Sequence, residues 1–376
     1  MHYRGAISVE TEAMRGWRSA LPLVVAAAAL IGAVLSSARF PANDFHAYHV
    51  AAGAFLRGQD LYASGGGVGV YPYRYAPGVA FLFTPLAALS FANAKLLWLA
   101  FNGCIVFTLA AASWGRHRDE GWWTLLAWAL LFKPLMNELH QGQADLAALG
   151  FAVLAFSLDD RGRPALGGAM LAGAAGLKVG PAIVAFDWLL RGRWRALAGF
   201  GACLLALAAA PIPFYGVRGA LILHASWLHA QQVDAPLMIG PLGNNQSFWS
   251  AAARLGLPSW TVVVAAVLLL ALASTASSHE RRRELLLLAT PLVSVYGWIQ
   301  NFVVAYPVVL RMVLASRTTR AAAIVFVGAT ALVTTDVISP QAEHWIEVHK
   351  LIGAAFLALL LAARWLPMRA RPPRAH

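Results

Sequence analysis

The chain has 376 residues, of which 59% are hydrophobic and 12% charged, about half the charged fraction of an ordinary soluble domain. That composition excludes a soluble globular protein and predicts an all-α polytopic membrane protein in one integral domain over 1–376. The net charge of +12 would suit a nucleic-acid partner, but the arginines sit in short turns between apolar runs, where positive-inside bias places them, so no nucleic acid is expected.

From the N-terminus, Met1 to Arg18 carries acids as well as bases. No small-residue cleavage site follows the apolar run after it, so a retained first span is expected rather than a signal peptide. Apolar runs fall at 19–38, 78–91, 93–114, 122–137, 143–158, 165–190, 196–213, 259–276, 285–314, 321–338 and 350–366. Several meet or approach the roughly 20 residues that a helix needs to cross the hydrocarbon core. The run at 165–190 holds Lys178, Gly180 and Pro181 in its middle and reads as a hairpin of two short helices with Lys178 at its tip. The run at 285–314 is expected to break at Gln300 and Asn301, and the run at 78–91 to be broken or half-inserted. Cys104 and Cys203 both lie inside apolar runs, which leaves no disulfide framework and no zinc site.

The longest polar interruption of the first half is PANDFHAYHVAAGAFLRGQDLYASGGGVGVYPYRYAP, residues 41–77, within a first outer loop expected over 39–77. Phe45, Tyr48, Ala52 and Phe55 recur at helical spacing behind Asp44, which predicts an amphipathic helix along the membrane surface, stopped by Arg57, Gly58 and Gln59. A glycine run from Gly65 to Gly69 and the cluster Tyr71, Tyr73, Arg74 and Tyr75 complete the loop. An acid, a cation and several aromatic faces are the equipment for gripping a sugar and a phosphate.

Placing the basic turns on one side gathers most of the chain's 29 basic residues there and gives about twelve crossings with both ends in the cytoplasm. The opposite side then owns the opening loop, the turn NELHQGQAD over 137–145, the Lys178 tip, a second long loop over 214–258, the break at Gln300 and Asn301, and the segment 336–350. No internal repeat is visible, which argues against a secondary transporter.

Each motif has a plain reading beside the functional one. Asp44 reads equally as a helix cap and as a catalytic acid or base. Arg74 reads equally as an interfacial residue that snorkels and as a phosphate contact. Lys178 favours function, because a lysine flanked by apolar residues on both sides is costly without a partner or a ligand. Glu138, His140, Gln141, Gln143 and Asp145 crowd two helix ends, with no third placed ligand to make a metal site. His46 and His49 read as interfacial packing, and His224, His229, Trp227, Gln231 and Gln232 as an ordinary outer loop.

The string DFHAYHVAAGAFLRGQDLY followed by YPYRYAPGVAFLFTPLAAL, then HQGQADLAAL, GLKVGPAIVAF with RGRWRAL after it, and NNQSFWSAAARL, resembles in order the polyprenol-phosphate-sugar-dependent glycosyltransferases of family 87, which have the GT-C architecture. The chain departs from the family pattern at VSVYGWIQNFVVAYP, which carries no ionisable group. The resemblance implies a GT-C-like bundle in a bacterial inner membrane, with an active site built from extracytoplasmic loops. It implies transfer of a sugar, expected to be mannose, from a polyprenyl-phosphate sugar to a glycolipid or glycan acceptor among the membrane lipids. It also points to Asp44 as the base. Arg74 and Lys178 are the cations expected on the phosphate, and Tyr62, Tyr73 and Tyr75 the faces expected on the sugar. His140, Gln143, Asp145, Asn245, Gln246, Gln300 and Asn301 complete the expected donor-binding set. No cofactor and no metal are expected, since the lipid phosphate is itself an activated leaving group. The rival readings are a transporter or flippase, supported by intramembrane Lys133, Lys178 and Arg311, and a membrane scaffold.

Overall fold

The computed structural model describes residues 3–62, 71–116, 121–239 and 245–324. The glycine run, the outer segment at 336–350 and the last two expected spans beyond residue 324 lie outside the described residues. Every regular element described is a helix. In chain order these are α1 (Tyr3–Ser37), α2 (Asn43–Leu56), α3 (Pro77–Leu82), α4 (Thr84–Ala87), α5 (Phe91–Arg116), α6 (Gly121–Leu130), α7 (Phe132–Gln141), α8 (Asp145–Asp160) and α9 (Pro164–Leu177). A 3-10 turn (Gly180–Val184) leads into α10 (Ala185–Leu190), α11 (Trp194–Ala209), α12 (Ile212–Ile239), α13 (Phe248–Arg254), α14 (Trp260–Ser274) and α15 (His279–Val293). A second 3-10 turn (Ile299–Ala305) precedes α16 (Tyr306–Ala315) and α17 (Arg317–Ala323).

By length and composition, two described segments, Ala20–Ser37 and Phe91–Trp114, are fit to cross a membrane. The count becomes four if two sharply bent pairs, α7 with α8 and α11 with α12, each form one span. Shorter apolar helices, among them α9 and α14, make up the rest of the bundle. Large apolar side chains such as Leu205, Val217, Leu221, Val263 and Leu268 are exposed on its outside, which is the surface expected of a protein solvated by lipid. The molecule is a helical membrane protein.

Three expected breaks are present. Lys178 ends α9 in extended backbone (φ −148°, ψ 122°) and the 3-10 turn follows. The run at 285–314 opens into extended backbone between α15 and the second 3-10 turn. The run at 78–91 divides into α3 and α4 at Phe83. Within the segment 214–258, expected as a second long outer loop, α12 occupies most of the length, with Gly216 (φ 66°) turning the chain at its start and α13 following. This helix contacts α3 and α13.

The centre of the bundle is α9, clasped between α8 and α11. The approach is backbone to backbone. A Cβ on Gly167 would lie 2.7 Å from the Ala155 carbonyl oxygen, one on Gly168 would strike the Ala196 carbonyl, and one on Gly199 the Ala165 carbonyl. In lipid, close packing of this kind replaces hydrophobic burial as the force between helices. Gly168→Ala is therefore expected to lower thermal stability in detergent by about 1–3 kcal/mol. Gly201→Ala in α11 is the control, since its Cβ would meet nothing within 4 Å. It should be neutral or gain up to about 1 kcal/mol from helix propensity. Equal melting temperatures for the two variants would refute this packing.

The turns that were expected to mark only the cytoplasmic side do more than that. Asp159, whose side chain is fully buried, accepts hydrogen bonds from Trp188 Nε1 (3.1 Å), Arg193 Nε (2.9 Å) and a terminal nitrogen of Arg283 (2.5 Å). Asp187 pairs with Arg191 (3.1 Å), Arg282 (2.9 Å) and Arg283 Nε (3.0 Å), and Asp160 pairs with Arg283 (3.0 Å). This lattice ties α8, α10, α15 and the turn before α11 together at one end of the bundle. Arg311, read from sequence as an intramembrane cation, is paired with Glu284.

Candidate functional site

The opposite end of α8 carries a second polar cluster, and α2 brings Asp44 to it. The buried face of α2 is Phe45, Ala47, Tyr48, Ala51, Ala52 and Phe55, which includes all four residues that the helical spacing picks out. The helix is launched from Ala42, held in the left-handed region (φ 52°, ψ 54°) and fully buried. That conformation costs a residue with a Cβ about 1–2 kcal/mol. Ala42 occupies the cap position and no side chain caps the helix. Asp44 lies in the first turn with its carboxylate hydrogen-bonded to the Gln143 side chain instead.

The partner of α2 is the turn between α7 and α8, where the chain bends by 113°. Gly142 makes the bend at φ 65°, and a Cβ there would lie 2.6 Å from the Phe45 Cβ, so glycine is required on two counts. The Gly142 carbonyl accepts from Trp98 Nε1 (2.9 Å). The fully buried Glu138 accepts the Leu146 N–H (2.9 Å), so a carboxylate from α7 satisfies the first turn of α8. Gln143 and Asp145 are thereby presented to α2 from a fixed apex.

Gln143 is the hub of the cluster. Its Oε1 accepts from Lys178 Nζ (2.8 Å) and from the Tyr48 hydroxyl (3.1 Å), which leaves its amide N–H groups for Asp44. Lys178 also pairs with Asp145 (3.2 Å), and Asp145 accepts from Asn301 Nδ2 (2.9 Å). Tyr75 closes the cluster. Its hydroxyl meets that of Tyr48 (2.7 Å) and its ring lies 5.6 Å from the Lys178 ammonium. Burial pushes the Asp44 carboxyl up to about 6, against the pull of Lys178, the Gln143 hydrogen bond and Arg74, with Asp145 adding to the rise. The result is a carboxylate that is ionised at neutral pH and close to the basicity expected of a working general base.

Of the residues expected in the site, Asp44, Tyr75, Gln143, Asp145, Lys178 and Asn301 come together, and Arg74 is near enough to act on the Asp44 charge. The Arg74 guanidinium lies over the Tyr296 ring at 5.9 Å, and its backbone carbonyl is held by Trp227 Nε1 (3.1 Å) and Gln231 Nε2 (2.7 Å) of α12. Others are engaged in bracing. The Tyr62 hydroxyl donates to the Tyr75 carbonyl (2.6 Å), and the Tyr73 hydroxyl donates to that of Ala76 (3.3 Å). His140 stacks on Phe40 with ring centroids 3.7 Å apart. Gln300 accepts from Asn137 (2.8 Å). Asn245 Nδ2 donates to the Val295 carbonyl (2.6 Å) and Asn245 Oδ1 accepts from the Gly297 N–H (3.0 Å), while the Gln246 N–H donates to the Gly297 carbonyl (2.7 Å). Two members of the cluster were not in the expected set: Tyr48, which the helical spacing marked only as apolar packing, and Glu138.

No group of three His, Cys, Asp or Glu side chains suited to a metal ion occurs among the described residues. An acid, an amide and an amine are thus collected beside aromatic rings at one end of a helical membrane protein. A family model described as glycosyltransferase family 87 matches residues 73–299, more than half of the chain. The chain belongs to glycosyltransferase family 87, so it is a glycosyltransferase acting on a sugar donor and an acceptor. The match contains Arg74, Tyr75, Gln143, Asp145 and Lys178, whereas Asp44 and α2 precede it and Asn301 follows it. No curated protein and no solved structure matches the chain.

Proposed function

We propose that the protein transfers a sugar, mannose by the family resemblance, from a polyprenyl-phosphate donor to a glycolipid or glycan acceptor, with inversion at the anomeric carbon. The reading includes about twelve crossings of a bacterial inner membrane, with the Asp44 end of the bundle outside the cytoplasm and the Asp159 lattice inside. The observation that carries it is the convergence of Asp44, Gln143, Asp145, Lys178 and Tyr75 from four separate parts of the chain. In the proposed step Asp44 takes the proton of the acceptor hydroxyl, whose oxygen forms a bond to the anomeric carbon. The carbon–oxygen bond to the phosphate breaks with its electron pair going to the phosphate. The products are the glycoside and polyprenyl phosphate. Lys178 and Arg74 neutralise the charge that grows on the leaving phosphate, and the Tyr75 ring is the face offered to the sugar.

Purified protein in detergent, given a polyprenyl-phosphate sugar and crude membrane lipids, should form a new glycoside and release polyprenyl phosphate. Donor consumption that needs a nucleotide sugar instead would overturn the reading. Within the same assay Lys178→Ala should weaken donor binding by at least about tenfold, the equivalent of one lost charged hydrogen bond. Lys178→Arg should weaken it less. Unchanged donor affinity in Lys178→Ala would remove this residue from the phosphate site.

A further inference from the structure

We propose that Gln143 is a positioning residue that aims the Asp44 carboxylate at the acceptor hydroxyl and keeps Asp44 and Lys178 from closing on one another as an ion pair. The inference rests on the assignment of Asp44 as base. A primary amide has one acceptor end and one donor end, and this one is asked for both at once. Lys178 Nζ (2.8 Å) and the Tyr48 hydroxyl (3.1 Å) need an acceptor, while the Asp44 carboxylate needs a donor. Only one rotamer of the amide satisfies all three, because the flipped amide would set N–H against ammonium and oxygen against carboxylate. Gln143 is 5% exposed and stands at the apex fixed by Gly142, so it has little freedom to do anything else.

The consequence is chemical. A lysine and an aspartate in direct contact neutralise each other, leaving a weakened base and a cation already spent. With an amide between them, each keeps its charge and a fixed direction. The charged groups that face Asp44 are Lys178 from the end of α9, Arg74 from the strap before α3, and Asp145 from α8; the Tyr48 and Tyr75 hydroxyls lie beside it. None of these replaces the amide, since Lys178 is held by Gln143 and Asp145, and Tyr48 already donates to Gln143.

The test is Gln143→Glu, assayed with a short-chain polyprenyl-phosphate mannose and the membrane-lipid acceptor. Glutamate keeps the shape and both accepted bonds but cannot donate to Asp44. The expected result is a kcat loss of about 100-fold and an acidic limb of the kcat profile moved upward by about one pH unit or more, because a like charge makes a carboxyl harder to ionise. Gln143→Asn, one methylene short, should lower kcat while leaving the donor KM within a few-fold, and decides the matter if the glutamate variant does not fold. A loss confined to donor KM in both variants would make Gln143 a donor contact, and an unmoved limb in a folded Gln143→Glu would remove its hold on Asp44; either result overturns the proposal. An active Asp44→Asn would instead sink the base assignment and this inference together.

Discussion

Asp44→Asn should abolish sugar transfer while leaving the protein folded and able to bind the donor. The amide is nearly isosteric with the carboxylate, and the cap position of α2 belongs to Ala42 rather than to Asp44, so the helix loses nothing by the change. An amide cannot accept the acceptor's proton, and loss of a general base costs about 100-fold to 10,000-fold. In the wild type, burial raises the Asp44 carboxyl to about 6, so the base is available above that pH and is lost to protonation below it. The rate should therefore fall on the acid side of about pH 6, and the small residual rate of Asp44→Asn should lack that limb. The same shift has the opposite sign for stability. A carboxyl that is harder to ionise when folded favours the fold at low pH, and this contribution is lost as pH rises through about 6. Asp44→Asn should thus be no less stable than the wild type at neutral pH. Transfer by the variant within a few-fold of the wild type would exclude Asp44 as the base and direct attention to Glu138 and Asp145.

At the other end of the bundle, Arg283→Ala should cost about 3–5 kcal/mol of stability. Arg283 is 2% exposed and reaches Asp159, Asp160 and Asp187 at once, so its removal takes away the cation shared by all three acids and leaves the buried Asp159 and Asp187 with Arg191, Arg193 and Arg282. Lysine would not restore the lattice, since a single ammonium cannot reproduce the guanidinium's fork across three acids. Arg161→Ala, an exposed arginine at the end of α8, is the comparison and should change stability by less than about 0.5 kcal/mol. Thermal unfolding in detergent distinguishes the two variants. Equal melting temperatures would mean that the lattice is only a set of charges gathered by topology.

Much of the local structure was legible in the sequence because it depends on residues close together in the chain. The buried face of α2 follows from apolar spacing, and the break at Lys178 from a lysine, a glycine and a proline set inside an apolar run. What could not be read were pairings across long stretches. Asp145 finds Asn301 156 positions away, and Arg283 finds Asp159 across 124. Neither has a local signal. By composition the arginines at 281–283 read only as a basic turn, and the same composition conceals that Arg283 is buried among acids. Likewise Gln143 was legible as a polar residue at a helix end, but not as the shared partner of Tyr48 and Lys178, because that role exists only once α2 and α9 have met.

The two polar clusters stand at the two ends of α8, and the 14 residue steps from Asp145 to Asp159 span about 21 Å along a helix. The hydrocarbon layer of a typical membrane is about 30 Å thick. On the proposed orientation, lipid beside α8 must thin, or water must enter a depression above Asp145, so that the donor's phosphate descends below the level of its neighbours to reach Lys178. Acyl-chain length in the surrounding membrane then becomes a variable of the enzyme, acting on the depth of the site without touching any residue in it.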